Sequence, residues 1–342
     1  MGIRNQERYR KAMDDRQIHT PVLLERCIEL LAPAFTEDAV FVDATLGMGG
    51  HSEAILSRYP SLTLIGLDRD TEALTIAGER LSRFGDRVHL VHTVYDGIGD
   101  AVADLGFDSI QGVLFDLGVS SLQLDRVERG FSYSKDAPLD MRMDATSELT
   151  AERVIADYSE FELRRIFQEY GEEKLAGRYA KRIVAEREKS PITGSAQLVE
   201  IISAATPAAV QRSGHPAKRV FQALRIEVNQ ELTVLERAIP RSIDLLSVGG
   251  RIVTMAYQSL EDRIVKRILQ ARSSSTAPAG LPVELPEHAP ELRLLLRGAE
   301  LADDAEKAAN PRATPVRLRA AERLVIRGAA ARGRAQQGKS AT

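Results

Sequence analysis

The segment Asp43-Ala44-Thr45-Leu46-Gly47-Met48-Gly49-Gly50-His51-Ser52 has the residue types and spacing that most directly suggest chemistry. An acid followed by closely spaced glycines lets backbone approach a ligand, and the N–H groups of a following helix then point at it. Three ligand classes compete for such a loop. A phosphate cradle of the P-loop kind needs Gly-Lys-Ser/Thr at its end, and no lysine follows Gly50. A dinucleotide fingerprint needs Gly-x-Gly-x-x-Gly; Gly47 and Gly49 fit, but the third position is Ser52. An acid followed by Gly-x-Gly remains, a pattern that suits S-adenosylmethionine. A glycine turn without a ligand stays open as the plain alternative.

Two further aspartates sharpen this reading. Asp68 stands roughly 20 residues past the loop, where a carboxylate can hold a ribose diol. Its plain alternative is a helix cap, a role Asp70 fills equally well for a helix starting near Thr71. Asp116 opens Asp116-Leu117-Gly118-Val119-Ser120-Ser121 after another apolar run. Ligands of open parallel sheets sit outside the C-terminal strand ends, so Asp43, Asp68 and Asp116 are expected to converge on one crevice. Methyl transfer from a sulfonium is an in-line displacement that needs alignment and exclusion of water, and no metal is expected. Asp116 is the catalytic candidate, as a hydrogen-bond acceptor for the methyl-accepting group; a role in cofactor binding alone is equally open.

The apolar pattern supplies the elements that must position these residues. Val40–Asp43, Leu62–Leu67, Val88–Val94 and Val113–Asp116 read as buried strands, with helices at Gly50–Arg58 and Thr71–Phe84 between them. This alternation predicts a parallel sheet covered on both faces. From about 145 to 215 only helical periodicity remains, carried by Tyr158, Phe161, Ile166, Phe167, Tyr179, Ile183 and Val184, so an all-helical insertion is expected. A long helix is predicted over about 218–247, with Phe221, Leu224, Val228 and Leu235 on one stripe and Gly249-Gly250 as its stop. Arg251–Ala256 reads as a fifth strand. Ser259 opens a further helix with Asp262 in the capping-box position. Leu292–Leu296 and Val316–Leu318 are expected to form a closing antiparallel pair.

Composition bounds the rest. With 44% hydrophobic and 28% charged residues, the chain is of the soluble, core-forming class. No apolar run approaches the ~18 residues of a membrane span, and Met1–Arg16 has no apolar stretch, so no signal peptide is expected. Cys27 is the only cysteine, which excludes an internal disulfide or a cysteine zinc site and suits a reducing cytoplasm. The net charge of -3 argues mildly against a grip on bare nucleic acid. Pro311–Thr342 is locally basic, however, with Arg312, Arg317, Arg319, Arg323, Arg327, Arg332, Arg334 and Lys339 against Glu322. It reads equally as a solvated tail and as an RNA-facing one.

Further stretches join the glycine loop, Asp68 and the Asp116 segment. They are His19-Thr20-Pro21-Val22-Leu23-Leu24, Glu128-Arg129-Gly130-Phe131-Ser132, Pro138-Leu139-Asp140-Met141-Arg142-Met143, His215-Pro216-Ala217 leading into Phe221-Gln222-Ala223-Leu224-Arg225-Ile226, and Ser259-Leu260-Glu261-Asp262-Arg263. In this order, over about residues 19–325, they resemble the bacterial 16S ribosomal RNA (cytosine-N4)-methyltransferase family. The resemblance implies an α/β, Rossmann-like S-adenosylmethionine-dependent methyltransferase fold with an inserted all-helical domain. The boundaries expected are an N-terminal extension over 1–18, a first catalytic part over 19–135, a substrate-recognising insertion over 136–216, a second catalytic part over 217–325 and a basic tail over 326–342.

The resemblance also implies S-adenosyl-L-methionine contacts at Gly49, Gly50, His51, Asp68, Tyr95, Asp116 and Gln123, with the Tyr95 ring able to stack on adenine. The implied substrate is a decoding-site cytosine of 16S ribosomal RNA within the small subunit, in the cytoplasm; a homodimer is an open option, and no membrane is involved. A cytosine amino group is a poor nucleophile because its lone pair is delocalised into the ring, so an acceptor such as Asp116 would hold it and favour a geometry that frees the lone pair. Phe131 and Tyr133 are candidates to stack on an extruded base, and Lys218, Arg219 and Arg225 to meet phosphates. His215 reads as a turn residue, and Arg142 as an anchor of the insertion or an RNA contact. One departure matters: Tyr257-Gln258 stands where many members have His before Ser-Leu-Glu-Asp-Arg, so no general base is expected there. Two rivals stay open, an enzyme of this fold acting on a protein or small molecule, and an RNA-binding assembly factor without catalysis.

Overall fold

The computed structural model describes residues 21–211, 214–278 and 285–325; His19, Thr20, the N-terminal extension and the tail over 326–342 lie outside them. The strands are β1 (Val40–Asp43), β2 (Thr63–Asp68), β3 (Val88–His92), β4 (Ile110–Asp116), β5 (Leu246–Ala256), β6 (Leu292–Leu294) and β7 (Arg317–Arg323). They form one sheet in the order β3-β2-β1-β4-β5-β7-β6. β1 to β5 run parallel, and β7 lies antiparallel between β5 and β6. Phe41, Val42, Leu64, Ile65, Val113, Leu114 and Phe115 are fully buried, the uninterrupted apolar pattern of strands covered on both faces. The strand order reverses direction between β1 and β4, so this Rossmann-like sheet opens its ligand crevice at their C-terminal ends.

The described parts of residues 1–68, 72–117 and 238–342 form one compact unit, and 69–71 with 118–237 form a second. The first contains the sheet. Cys27 sits in its core with Sγ 3.7 Å from Met255 Sδ, and burial pushes its thiol well above the ordinary range. The second unit has only helices among its named elements, including Ala151–Asp157, Glu160–Glu169, Ala176–Arg187, Ser195–Ala205 and Ala217–Asn229. It takes in 118–135 and 217–237 besides the 136–216 expected from sequence. The reason is packing: Ala217, Val220, Phe221, Leu224 and Val228 bury in one cluster with Leu163, Ile166, Phe167, Tyr179 and Ile183. Phe161 does not join that cluster. It is 75% exposed, because Leu163, Ile166 and Phe167 form the buried face of its helix.

Three local expectations need correction. The helix expected over about 218–247 is two, Ala217–Asn229 and Glu231–Leu245, broken at Gln230 with φ 50° and ψ 32°. Tertiary bonds hold the break. Asn229 Oδ1 accepts the Met143 N–H and its Nδ2 donates to the Met141 carbonyl, both at 2.8 Å, while the Arg225 guanidinium grips the Glu231 carboxylate beyond it. At Ser259–Arg272 the box residue is Glu261, not Asp262: its carboxylate accepts the N–H groups of Tyr257 and Gln258 at 3.0 and 3.1 Å. Asp262 instead binds Arg319 of β7. Arg317, Arg319 and Arg323, counted above as part of a basic tail, therefore belong to a strand, and Arg323 is only 3% exposed.

The closing strands pair antiparallel, but Leu292–Leu294 lies opposite Ala321–Arg323, with Leu292 opposite Arg323, rather than opposite the expected Val316–Leu318. Buried Glu291 holds them, its Oε2 accepting from Arg272 at 2.6 Å and lying 3.3 Å from Arg323. Removing one member of such a group strands the others in a low-dielectric interior. Glu291→Ala is therefore expected to lower unfolding free energy by about 3 kcal/mol, read as a lower urea midpoint at unchanged slope.

Candidate active site

The C-terminal ends of β1, β2 and β4 carry Asp43, Asp68 and Asp116, and Tyr257 follows the end of β5. All four belong to the first unit. Between β1 and the helix Gly50–Arg58 the loop turns through Gly47 and Gly49 at φ 52° and 77°, where a side chain is strained. A Cβ at Gly49 would stand 3.3 Å from Leu81 Cδ1, whereas one at Gly47 would meet nothing nearer than the Thr45 carbonyl at 3.9 Å. The loop is thus packed on one side and open on the other. The Gly47 N–H donates to Asp68 Oδ2 at 2.8 Å, which fixes the loop to the end of β2. Thr45 Oγ1 accepts the Asp116 N–H at 2.6 Å and ties the same loop to the end of β4.

Asp43 faces inward, 2% exposed, where the Ser52 hydroxyl donates to Oδ2 at 2.6 Å and the Thr45 N–H to Oδ1 at 3.3 Å. Burial outweighs these donors and lifts its pKa to about 6. Asp116 remains 29% exposed and accepts the Tyr257 hydroxyl on Oδ1 at 2.8 Å. Desolvation raises its pKa above the ordinary value, against the opposing effects of His51 and the Tyr257 hydrogen bond. Burial and the neighbouring Asp116 drive Tyr257 far above the phenol range, so its hydroxyl keeps its proton and is the donor. Among the described residues Asp116 Oδ2 makes no hydrogen bond; His51 Nδ1 lies 3.9 Å from it.

The other candidates divide. The His51 ring is buried and its Nε2 meets the Val22 carbonyl at 3.0 Å, so the proton of a neutral ring sits on Nε2. This leaves the loop backbone, rather than the ring, as the part of His51 suited to a ligand. Tyr95 is half-buried and packs edge-on against Phe115 at 5.7 Å. Gln123 belongs to the second unit, buried, with Nε2 donating to Asp70 at 3.2 Å and Oε1 accepting the Ser120 N–H at 3.1 Å.

In that unit Phe131 is buried, which makes it a packing residue, not a base-stacking one. Tyr133 stacks on His215 at 4.5 Å and meets Phe221 edge-on. Arg142 is an anchor: it grips Asp140 and the carbonyls of Ala145 and Ser147. Arg219 donates to the Glu172 carbonyl and Arg225 to Glu231, so among the described residues only the side chain of Lys218, of the three expected phosphate contacts, makes no hydrogen bond or ion pair.

Two roles were missed from sequence. Tyr257 holds Asp116, and Ser52 holds Asp43; the position of Tyr257 just past a parallel strand's C-terminal end was the available signal. The donor set suits a particular ligand class. Residues 43–52 contain three glycines and no lysine or arginine, so no cationic side chain of the P-loop kind stands there to meet a phosphate. Carboxylates at three strand ends favour a cationic ligand bearing a diol, such as S-adenosylmethionine.

A model of the MraW methylase family matches residues 16–324. The chain is 77% identical over 307 residues to the ribosomal RNA small subunit methyltransferase H of Leifsonia xyli subsp. xyli (strain CTCB07), covering 90% of this chain and 94% of that one. It is 75% identical to the protein so named from Clavibacter sepedonicus, over 91% of this chain and 98% of the relative. The similarity persists at 61% identity to that of Saccharopolyspora erythraea, over 93% and 98% of the two chains.

The raised pKa of Asp43 has a consequence for stability. Unfolded, it loses its proton near 3.8, but folded only near 6, so the native state binds the extra proton between those values. Its contribution to stability is present below the lower value and falls as pH rises through the window, by up to about 1.4 kcal/mol per pH unit. Asp43→Asn cannot ionise and is expected to flatten that fall. Urea midpoints measured across the window would check it, and a slope identical to wild type would rule the assignment out.

Proposed function

This chain belongs to the MraW methylase family, and on that premise we propose that it transfers the methyl group of S-adenosyl-L-methionine to the N4 amino group of a decoding-site cytosine in 16S ribosomal RNA of the small subunit. The observation that carries this reading is Asp116: its Oδ1 is occupied by Tyr257 while its Oδ2 stands open beside the glycine loop. When bound, S-adenosylmethionine supplies an electrophilic methyl group on a sulfonium. The backbone at Gly49, Gly50 and His51 and the carboxylate of Asp68 would hold that cofactor, with the Tyr95 ring against its adenine.

The chain's own contribution at the acceptor is alignment and charge. Asp116 Oδ2 accepts an N–H of the cytosine amine, which fixes the amine and favours the geometry that exposes its lone pair. Methylation turns NH2 into NHCH3 and releases one proton, which Oδ2 takes up before passing it to water; its raised pKa suits that duty. Tyr257 keeps the carboxylate pointed and charged. The substrate sets the compartment, the bacterial cytoplasm. Mass mapping of methylated nucleosides in ribosomal RNA from cells with and without the gene tests the reading directly, since an unchanged map excludes the cytosine target and favours a silent assembly factor or another substrate.

Two sets of variants test the residue roles. Asp68→Ala loses charge-assisted hydrogen bonds to the ribose and should weaken cofactor binding by one to two decades, about 1.5–3 kcal/mol; calorimetry giving wild-type affinity would sink the assignment. Asp116→Ala should cut single-turnover methylation of small subunits by ~10²–10³ at saturating cofactor, as for one aimed polar group at a transition state, and Asp116→Asn should cut it less. Full recovery of the Ala variant at high cofactor would leave Asp116 a cofactor ligand only. Activity requires Asp116 charged, so it falls as pH drops through the carboxyl's pKa. Tyr257→Phe removes a bond that stabilises the charged form, and the acid limb of the pH profile should move to higher pH.

A further inference from the structure

We propose that the outward face of the helical hairpin Glu160–Glu169 and Ala176–Arg187 binds the phosphate backbone of ribosomal RNA, with Phe161 stacking on a base at its edge. The identity of the ligand rests on the functional reading above; the face itself is read from the second unit alone. Helix Ala176–Arg187 buries Ala176, Tyr179, Ala180 and Ile183. That arrangement turns Arg178 and Lys181 to the opposite, exposed side, three residues apart and so neighbours on the helix surface. Lys174 is exposed just before the helix starts. Arg164 reaches the hairpin from the preceding helix, its stem 3.6 Å from where a Cβ on Gly177 would stand. One turn before Arg164, Phe161 is the most exposed large apolar side chain described, at 75%.

The state of the charges separates this face from an ordinary solvated one. Among the described residues the side chains of Arg164, Lys174, Arg178 and Lys181 have no ion pair or hydrogen bond. Other arginines of the unit are committed: within the hairpin Arg165 to Glu169, Arg182 to Glu186 and Arg187 to the Ile155 carbonyl, and beyond it Arg142 to Asp140 and Arg219 to the Glu172 carbonyl. In a chain of net charge -3, unpaired cations gather on one hairpin. From Lys174 to Lys181 they cover about 10 Å of helix axis, with an exposed ring beside them, the combination that tracks a polyanionic strand and stacks its bases.

The test compares wild type, Arg178→Glu with Lys181→Glu, and Phe161→Ser, all as full chains, on small subunits from cells lacking the gene. Binding is measured by filter retention over a range of salt, and methyl incorporation is followed in parallel. The charge-reversed pair should bind about tenfold more weakly at physiological salt, raise the KM for the subunit in proportion, and reduce the slope of log affinity against log salt by about 1.5–2. Phe161→Ser should lose about fivefold or more with the slope unchanged. Calorimetry with S-adenosylmethionine should match wild type and shows that the variants are folded. Wild-type affinity in the charge-reversed pair overturns the proposal, and so does a loss without a change of slope, which would mark the face as a protein-binding one. Failure of the functional reading looks different: wild type itself would then place no methyl group on the subunit.

Discussion

Asp43, Asp68 and Asp116 end strands that the sheet sets side by side, and parallel pairing brings all three carboxylates to one edge. Like charges so gathered in partly desolvated surroundings repel, and much of the local structure answers that repulsion. Each acid has its own donor: the Ser52 hydroxyl for Asp43, the Gly47 N–H for Asp68, the Tyr257 hydroxyl for Asp116. The donors differ in what they leave open. Asp43 is enclosed and holds its proton to about pH 6, while Asp116 keeps one oxygen unbonded. No lysine or arginine enters residues 43–52, so the positive charge that would complete the edge must come from outside the loop. A cationic cofactor would provide it, and a phosphate-bearing one would not.

The second unit solves a different problem, that of holding long irregular loops in place with little sheet-like backbone pairing. Arg129 reaches Asp70 and the carbonyls of Arg142 and Met143 at once. Asn229 clamps Met141 and Met143 from the end of its helix. These polar groups are bonded on several sides, the condition under which partly buried polar networks specify one arrangement instead of destabilising it. Where cations are left without partners in a unit built this way, their freedom is a property of the surface and not of loose packing.

The sheet was legible in the sequence because continuous apolar runs four to seven residues long, ended by acids or glycines, have few other uses. The expected strand ends at Asp43 and Asp116 coincide with those in the structure, as does the helix Gly50–Arg58. The glycine loop was legible for the same reason, and the absence of lysine and the serine at position 52 each argue against a competing ligand chemistry. The break at Gln230 was not. Nothing local forbids helix there; side-chain bonds from residues more than 80 positions away reward the left-handed turn. Nor could periodicity separate Phe161 from Phe167, since both fit a helix and only packing decides which of them is buried.

The amino-acid order by itself determined the αβ alternation, the aspartates at strand ends and the glycines that let a backbone meet a ligand, because each follows from properties of a few neighbouring residues. Tertiary structure alone decided which groups meet. Tyr257, 141 positions from Asp116, becomes its hydrogen-bond donor; Arg319 and Arg323 become strand residues with acidic neighbours instead of a basic tail; and among the described residues the Arg164 and Arg178 side chains are left unpaired while those of Arg165 and Arg182 are not. Local sequence sets what a side chain can do, but its partner is chosen by a three-dimensional packing that no single segment encodes.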